Sequence, residues 1–364
     1  MKLPKFEVEQ WMTDHEGDAV FNLTDTCVSP FSLDELLAMD QDHLFSGLTL
    51  DYGAITGDIR LRRELLKLYK SGSEDSITTA QGCLQGAELV METLLNAGDR
   101  VIAYVPGYQA FTAYPRSLGC TVTALELYEE DGWQPRLDEL EQAMEQPVKL
   151  VIVNNPANPT GVIFRKEYRD RLIELCKAQG TWILSDEIYR DPRCPSLSDL
   201  YDQAVSVSSL SKMYSLAGLR LGWIKGPEDL IHTINERRDY SIISTGPLVD
   251  TLGLVAMKKR EAILARSRSI IEADQRAVRE FLRENPEFSV VLPEYGTVCF
   301  LRYEGDIPSR QLADHALKNF GVFFVPGCCF DCENHLRLGL TCSPETMAKG
   351  LRLLAEARRD LCGR

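Results

Sequence analysis

The sequence predicts an α/β fold with a mainly parallel sheet covered by helices on both faces. Three observations carry that expectation. From about Asp51 to Trp223, short apolar, often β-branched runs alternate with longer stretches of helical period. The runs are apolar throughout rather than every second residue, as strands buried on both faces require. After about Gly246 the pattern changes to long charged helices and shorter strands, which predicts a second, smaller α+β body.

In chain order, Asp58 to Lys70 reads as a helix with Ile59, Leu65, Leu66 and Tyr69 on one face, closed by Gly72. Gly86 to Asn96 is a second helix, ended by Gly98. Arg100 to Tyr104, Cys120 to Leu125 and Lys149 to Val153 read as strands. Tyr168, Leu172, Leu175 and Cys176 form an i, i+4, i+7, i+8 stripe, so Lys166 to Gln179 is an amphipathic helix stopped by Gly180. Thr181 to Leu184 and Ala204 to Val207 are the next strands. Leu248 to Glu284 is long, charged and helical. Val298 to Arg302, Val322 to Val325 and Leu336 to Leu340 are short strands, and Pro344 to Leu361 is a last helix. The expected division is a large domain over 46–245 and a small domain made of 1–45 and 246–364. No Gly/Ser-rich linker separates them, and a hinge is expected near Ser244-Thr245-Gly246.

Composition narrows the function. The chain has 364 residues, with 40 Lys plus Arg against 54 Asp plus Glu and a net charge of -14. That balance argues against nucleic acid or an anionic membrane as partner, since both need clustered basic residues. Apolar runs fall far short of the ~20 residues of a membrane helix, and the N-terminus has no signal-peptide core. The 11 cysteines, an odd number, read as reduced thiols of a cytoplasmic protein.

Four clusters fall where such sheets place ligands, beyond the carboxyl ends of strands. Asn154-Asn155-Pro156-Ala157-Asn158-Pro159-Thr160-Gly161 follows a buried strand, and its two Asn-Pro steps end that strand sharply. Ser185-Asp186-Glu187-Ile188-Tyr189 ends the next one. A carboxylate at Asp186 would be buried and needs a cationic partner. Ser208-Ser209-Leu210-Ser211-Lys212 ends another, with Arg220 eight residues on. A lysine desolvated there is expected to have a lowered pKa and to condense with a carbonyl. Finally, Gln81-Gly82-Cys83-Leu84-Gln85-Gly86 heads a helix, where Gly82 permits close approach and the first N–H groups can hold a phosphate.

An aldehyde-accepting Lys, a phosphate cradle with an Arg and a buried Asp for a pyridinium nitrogen together point to pyridoxal 5′-phosphate. Asn155-Pro156-Ala157-Asn158-Pro159-Thr160-Gly161, Asp186-Glu187-Ile188-Tyr189, and Ser209-Leu210-Ser211-Lys212 with Arg220 resemble, in order and spacing, the class I/II aminotransferases of the pyridoxal-phosphate fold type I. The resemblance spans Tyr52 to Arg337. It implies a large domain with a seven-stranded sheet plus a small α+β domain, and a homodimer with composite active sites.

The resemblance also implies roles. Lys212 would form the Schiff base with the cofactor and carry the proton between carbons. Asp186 would keep the ring nitrogen protonated. Tyr189 and Asn158 would hydrogen-bond the ring's 3-oxygen. Ser209, Arg220 and the N–H groups of Gly82, Cys83 and Leu84 would hold the phosphate. Tyr108 would stack on the ring, and Tyr52 would reach the partner subunit's phosphate. Arg337 would clamp the substrate α-carboxylate, with Asn158 and the stretch Thr26-Cys27 nearby. The implied reaction moves an amino group from an L-amino acid to a 2-oxo acid in a ping-pong cycle. A carbon–sulfur β-lyase shares every cofactor contact and stays open. A ligand-sensing regulator is disfavoured, because the stretch before Tyr52 is too short for a helix-turn-helix domain.

Two departures stand out. Cys83 sits where the family more often has Ala, Ser or Thr. The opening Phe6-Glu7-Val8-Glu9-Gln10-Trp11-Met12 does not resemble the aspartate or aromatic enzymes, so the amino donor stays open. Separately, Cys328-Cys329-Phe330-Asp331-Cys332 with His335 contains a C-x-x-C and a nearby His. It lacks a second cysteine pair at zinc-ribbon spacing, so no metal is expected. Oxidation of that cluster could perturb the approach to Arg337.

Overall fold

A computed structural model describes residues 2–363. Its largest sheet has seven strands: β1 (Ile77–Ala80), β2 (Arg100–Val105), β3 (Thr121–Glu126), β4 (Leu150–Asn154), β5 (Trp182–Asp186), β6 (Ala204–Ser209) and β7 (Gly222–Lys225). They lie in the order β1-β7-β6-β5-β4-β2-β3. Only β7 runs antiparallel to its neighbours, β1 and β6. All other pairs are parallel.

The strands show why their sequences are apolar throughout. Val151 and Val153 of β4 pack into one hydrophobic cluster, and Leu150 and Ile152 into another. Successive side chains point to opposite faces, so both faces of the sheet are covered. The helix Gly82–Leu94 packs on β6 and β7. The register matters for function: Asn154 lies beside Asp186, and Asp186 beside Val207. Three consecutive carboxyl ends therefore deliver their loops to one place.

A four-stranded antiparallel sheet comes later in the chain, built from Phe288–Val290, Val298–Tyr303, Val325–Pro326 and His335–Gly339. The helices Arg260–Glu284 and Ser309–Phe320 both pack against Pro344–Leu361. The N-terminal segment joins this part of the chain. Phe21–Asn22 pairs with Val322–Phe323 in parallel, and the Trp11 indole N–H donates to the Phe324 carbonyl at 2.8 Å.

Some expectations are revised. The strands β1 and β7 are additional to those the pattern shows. Each has four residues, and β1 (Ile-Thr-Thr-Ala) is too short and polar to stand out. Leu248 to Glu284 is two helices, Pro247–Lys258 and Arg260–Glu284, broken at Lys259. Val322 to Val325 is two strand fragments, because Val322–Phe323 pairs with the N-terminal segment and Val325–Pro326 with the strand bearing Arg337. The helix expected from Gly86 begins at Gly82, whose φ of 84° turns the chain out of β1. By contrast, Lys166–Gln179 is the helix expected, with Gly180 in the left-handed conformation just beyond it.

Candidate active site

The loops after β4, β5 and β6, the head of the helix Gly82–Leu94 and the N-terminal segment enclose a cavity of about 440 Å³. Asp186, at the end of β5, forms part of its floor and is 6% exposed. Its Oδ1 accepts from the Ile188 N–H at 3.0 Å and from the Cys83 thiol at 3.2 Å. Burial pushes its carboxyl up to about 6, against the lowering effect of those two hydrogen bonds. Burial, then Asp186, holds the Cys83 thiol well above its ordinary value. A cationic ring nitrogen beside Asp186 would supply the charge partner this buried carboxyl lacks.

Lys212 reaches into the same space from the turn after β6. Its Nζ donates to Thr26 Oγ1 at 2.6 Å and to Cys27 Sγ at 3.5 Å, and lies 5.8 Å from the centre of the Tyr189 ring. The Tyr189 hydroxyl donates to the same Thr26 oxygen at 3.5 Å. Burial depresses the Lys212 amine, but Tyr189, Cys27 and Asp25 outweigh it, so its pKa is raised. The expectation of a lowered pKa is thus reversed in the free protein. Burial also raises the Cys27 thiol, despite the Lys212 ammonium beside it.

The head of the helix Gly82–Leu94 is shaped to hold an anion. Gln81, its N-cap, offers no side-chain cap to the first N–H groups. A Cβ on Gly82 would lie 2.7 Å from Arg220 Nη2, and one on Gly222 would lie 2.5 Å from the Gly82 carbonyl carbon. Both glycines are therefore dictated by close approach: of guanidinium to helix head, and of β7 to that same turn. Arg220 is itself left-handed with φ 50°, and among the described residues its guanidinium donates only to the Ala217 carbonyl, at 3.2 Å. Open N–H groups beneath a guanidinium fit a phosphate.

Arg337 lies on the strand His335–Gly339 and is 5% exposed. It donates to the Thr24 carbonyl at 3.1 Å and to Asn158 Oδ1 at 3.4 Å. Among the described residues its Nε has no partner and it forms no ion pair. A buried guanidinium in that state is costly unless a ligand supplies the anion. Asn158 is held in turn by its own N–H, which donates to Asn154 Oδ1 at 2.7 Å.

The cavity brings together Lys212, Asp186, Tyr189, Asn158, Arg337, Arg220, Cys83, Leu84, Tyr108, Thr26 and Cys27. Three expected residues are not among those lining it: Gly82, which heads the helix beside Arg220, Ser209 and Tyr52. The Ser209 hydroxyl accepts from the Ser211 N–H at 3.2 Å, and Ser211, not Ser209, lines the cavity. Tyr52 is 68% exposed on the outer surface. The stretch that departs from the aspartate and aromatic enzymes supplies a wall, from Phe6, Val8, Glu9 and Met12, though no motif assigns those residues a role. Nor did any pattern show the Thr26–Lys212 contact, which spans 186 positions. The Cys83–Asp186 hydrogen bond was equally hidden; only the unusual cysteine marked its place.

Beyond this cavity, the Cys329 thiol, with help from Ser309 and Arg310, holds Cys328 down to about 6 against burial. Burial lowers the His335 imidazole, but Cys332 and Glu129 bring it up to about 9. Among the described residues no three His, Cys, Asp or Glu side chains gather to hold a metal. No helix among them is long and apolar enough to cross a membrane.

The sheet order and the strand-end lysine, aspartate and phosphate cradle place the chain among the α/β enzymes of the pyridoxal-phosphate fold type I, and its cofactor is pyridoxal 5′-phosphate. Residues 30–354 match the family described as aminotransferase class I and II, and the chain belongs to that family. A pyridoxal-phosphate-dependent aminotransferase from Streptococcus suis superposes with a TM-score of 0.94 at 33% identity, over 99% of both chains. The chain is 27% identical to capreomycidine synthase of Streptomyces vinaceus, over 97% of this chain and 94% of that one. It is 29% identical to an aspartate aminotransferase of Thermococcus kodakarensis, over 83% and 79%.

Proposed function

We propose that the protein is an aminotransferase that moves an amino group from an L-amino acid to a 2-oxo acid in ping-pong order. The observation that carries this reading is the buried, carboxylate-free Arg337 in the same cavity as the Lys212 amine. One receives an α-carboxylate and the other works at the α-carbon. Bound pyridoxal phosphate supplies an aldehyde and an electron-withdrawing ring. Asp186 keeps the ring nitrogen protonated, stabilised by the Cys83 thiol and the Ile188 N–H. Arg220 and the N–H groups of Gly82, Cys83 and Leu84 hold the phosphate, with Ser211 or Ser209 beside them. Arg337 fixes the α-carboxylate, and Asn158 braces it and the ring's 3-oxygen. Lys212 would take up and carry the proton from the substrate's Cα. Thr26 and Tyr189 orient its amine for that transfer.

The protein is proposed to work as a cytoplasmic homodimer with Tyr52 reaching the partner subunit's phosphate. Tyr52 is exposed along with Leu50, Ile55, Tyr240, Ile243 and Leu248, an apolar set consistent with a covered surface. All 11 cysteines are free, as reduced cytoplasmic thiols would be. Domains at 46–245 and at 1–45 with 246–364 are proposed to close about Ser244 to Gly246.

A second reading keeps the same contacts and changes the fate of the substrate once its Cα proton is lost. It gains support from the likeness to a synthase rather than only to transaminases. A half-reaction screen separates the two. Loaded protein is mixed with single amino acids without any 2-oxo acid. Stoichiometric conversion to the pyridoxamine form, reversed by a 2-oxo acid, is the expected result. Turnover of a donor without an acceptor, as in release of pyruvate and ammonia from cysteine or cystathionine, would favour the lyase-like reading.

A further inference from the structure

We propose that the preferred amino donor carries a positively charged side chain, and that Glu9 recognises it. This deepens the reading above and rests on its placement of the α-carboxylate at Arg337.

The charges lining the cavity lead to it. Its cations are Lys212, Arg220 and Arg337, and its anions are Asp186, Glu9 and Asp25. Arg220 answers a phosphate, Asp186 a ring nitrogen, Arg337 an α-carboxylate, and Lys212 is the reacting amine. Glu9 and Asp25 are left over, both on the solvent-exposed side of the cavity, and Asp25 also helps hold the Lys212 charge. Neither forms an ion pair among the described residues. The Tyr108 hydroxyl donates to Glu9 Oε1 at 2.9 Å, which fixes that carboxylate and leaves Oε2 without a partner among the described residues. Asp25 Oδ1 accepts from the Cys27 N–H at 2.8 Å, which ties it to the cysteine beside Lys212.

Two carboxylates alone would not make a site. The independent observation is Arg337, 5% exposed and lining the same cavity, with its Nε unpartnered. A ligand that satisfies Arg337 brings an anion. If it also brings a cation, that cation finds Glu9 and Asp25 on the exposed side of the same cavity. An α-amino acid with an ammonium or guanidinium side chain does both. Phe6, Val8 and Met12, from the same segment as Glu9, offer an apolar lining for the methylenes between the two charges. A dicarboxylic donor finds no free cation among the lining residues of this chain, and its second carboxylate would meet Glu9 and Asp25. Glu9 also sits in the first turn of the helix Glu7–His15, where an acidic side chain favours the helix whatever the ligand. That structural role predicts a stability effect but no donor preference, so the two are separable.

The experiment is a titration of the full-length, pyridoxal-phosphate-loaded protein with L-arginine, L-lysine, L-citrulline, L-norleucine, L-aspartate and L-glutamate. Two signals are read: the change in the visible absorption band on binding, and conversion to the pyridoxamine form. The expected result is that arginine or lysine binds at least about 10-fold more tightly than its neutral counterpart, citrulline or norleucine. Glu9→Gln should remove that preference and leave the spectrum of the loaded protein unchanged, with at most the small fall in melting temperature that loss of a first-turn charge brings. Glu9→Lys should shift preference toward aspartate or glutamate. Equal binding of arginine and citrulline, tighter binding of a dicarboxylic donor, or a Glu9→Gln variant that weakens all donors alike would overturn the inference. Preferential binding of arginine or lysine without conversion would overturn transamination and leave the charge preference standing. Conversion that favours neutral or acidic donors would do the reverse.

Discussion

The floor of the cavity comes from residues between Gly82 and Arg220, each at a strand end or within a few residues of one. Its other wall comes from Phe6 to Cys27 and from Arg337. The floor is positioned by sheet register: Asn154 beside Asp186 and Asp186 beside Val207 are set once the parallel strands are paired. The wall is held by contacts across the length of the chain, such as Thr26 to Lys212 and Arg337 to Thr24, 186 and 313 positions apart. The proposed cofactor contacts thus follow the seven-stranded sheet, and the proposed donor contacts lie on a segment outside that sheet.

That comparison predicts a separation between loss of chemistry, loss of substrate and loss of cofactor. The largest effect is expected for Lys212→Ala, which removes the reacting amine and the proton carrier. Turnover should fall by about 10⁴-fold or more, and the Schiff-base absorption should vanish. A variant that keeps both would break the assignment of the floor.

Next comes the wall. Arg337→Ala should reduce kcat/KM for amino acids by roughly 100-fold or more, from loss of a buried charge-assisted pair. Cofactor affinity, measured by spectral titration, should stay within about 2-fold, below the ~1 kcal/mol scale of one ordinary hydrogen bond. Equal losses of both would mean that floor and wall are not separable at this residue.

Asp186 tests the floor through pH. Its folded-state carboxyl is raised from 3.8 to about 6, with burial the main cause. A raised carboxyl binds its proton more tightly in the folded state. Its contribution to stability is therefore full below about pH 4 and lost as pH rises through about 6. Asp186→Asn has no such loss. In cofactor-free protein it should gain on the wild type between those pH values, by about 3 kcal/mol in all. Thermal melts across that range check it. A difference that shrinks as pH rises would contradict the burial cost.

The smallest effect is expected for Gly82→Ala. The added methyl needs a positive φ and would sit 2.7 Å from Arg220 Nη2. Displacing that guanidinium should weaken cofactor binding by about 10-fold, the cost of one charge-assisted hydrogen bond. KM for the amino donor should change little once the enzyme is saturated with cofactor.

Much of the floor was legible in the sequence because its residues are short-range in sequence. Asn158 comes four positions after β4, and Lys212 three after β6. An apolar run announces the strand, and the polar residues just beyond it announce the site. The helix Lys166–Gln179 was legible for a similar reason, since its stripe and its stop at Gly180 are both local. The short strands β1 and β7 were hidden, because four residues carry too little pattern. The split of Val322 to Val325 was hidden too, because two different partners decide it.

The alternation of elements, the order of the strand-end motifs and the cofactor they suit are all written along the chain. They depend on hydrophobic period and on spacing, which need no folded neighbour to be read. Three features needed the folded chain: Arg337 is buried without a carboxylate, Cys83 hydrogen-bonds Asp186, and Glu9 and Asp25 share their cavity. Burial and charge balance are properties of the groups around a side chain. At this site three such contacts join residues 99, 103 and 179 positions apart.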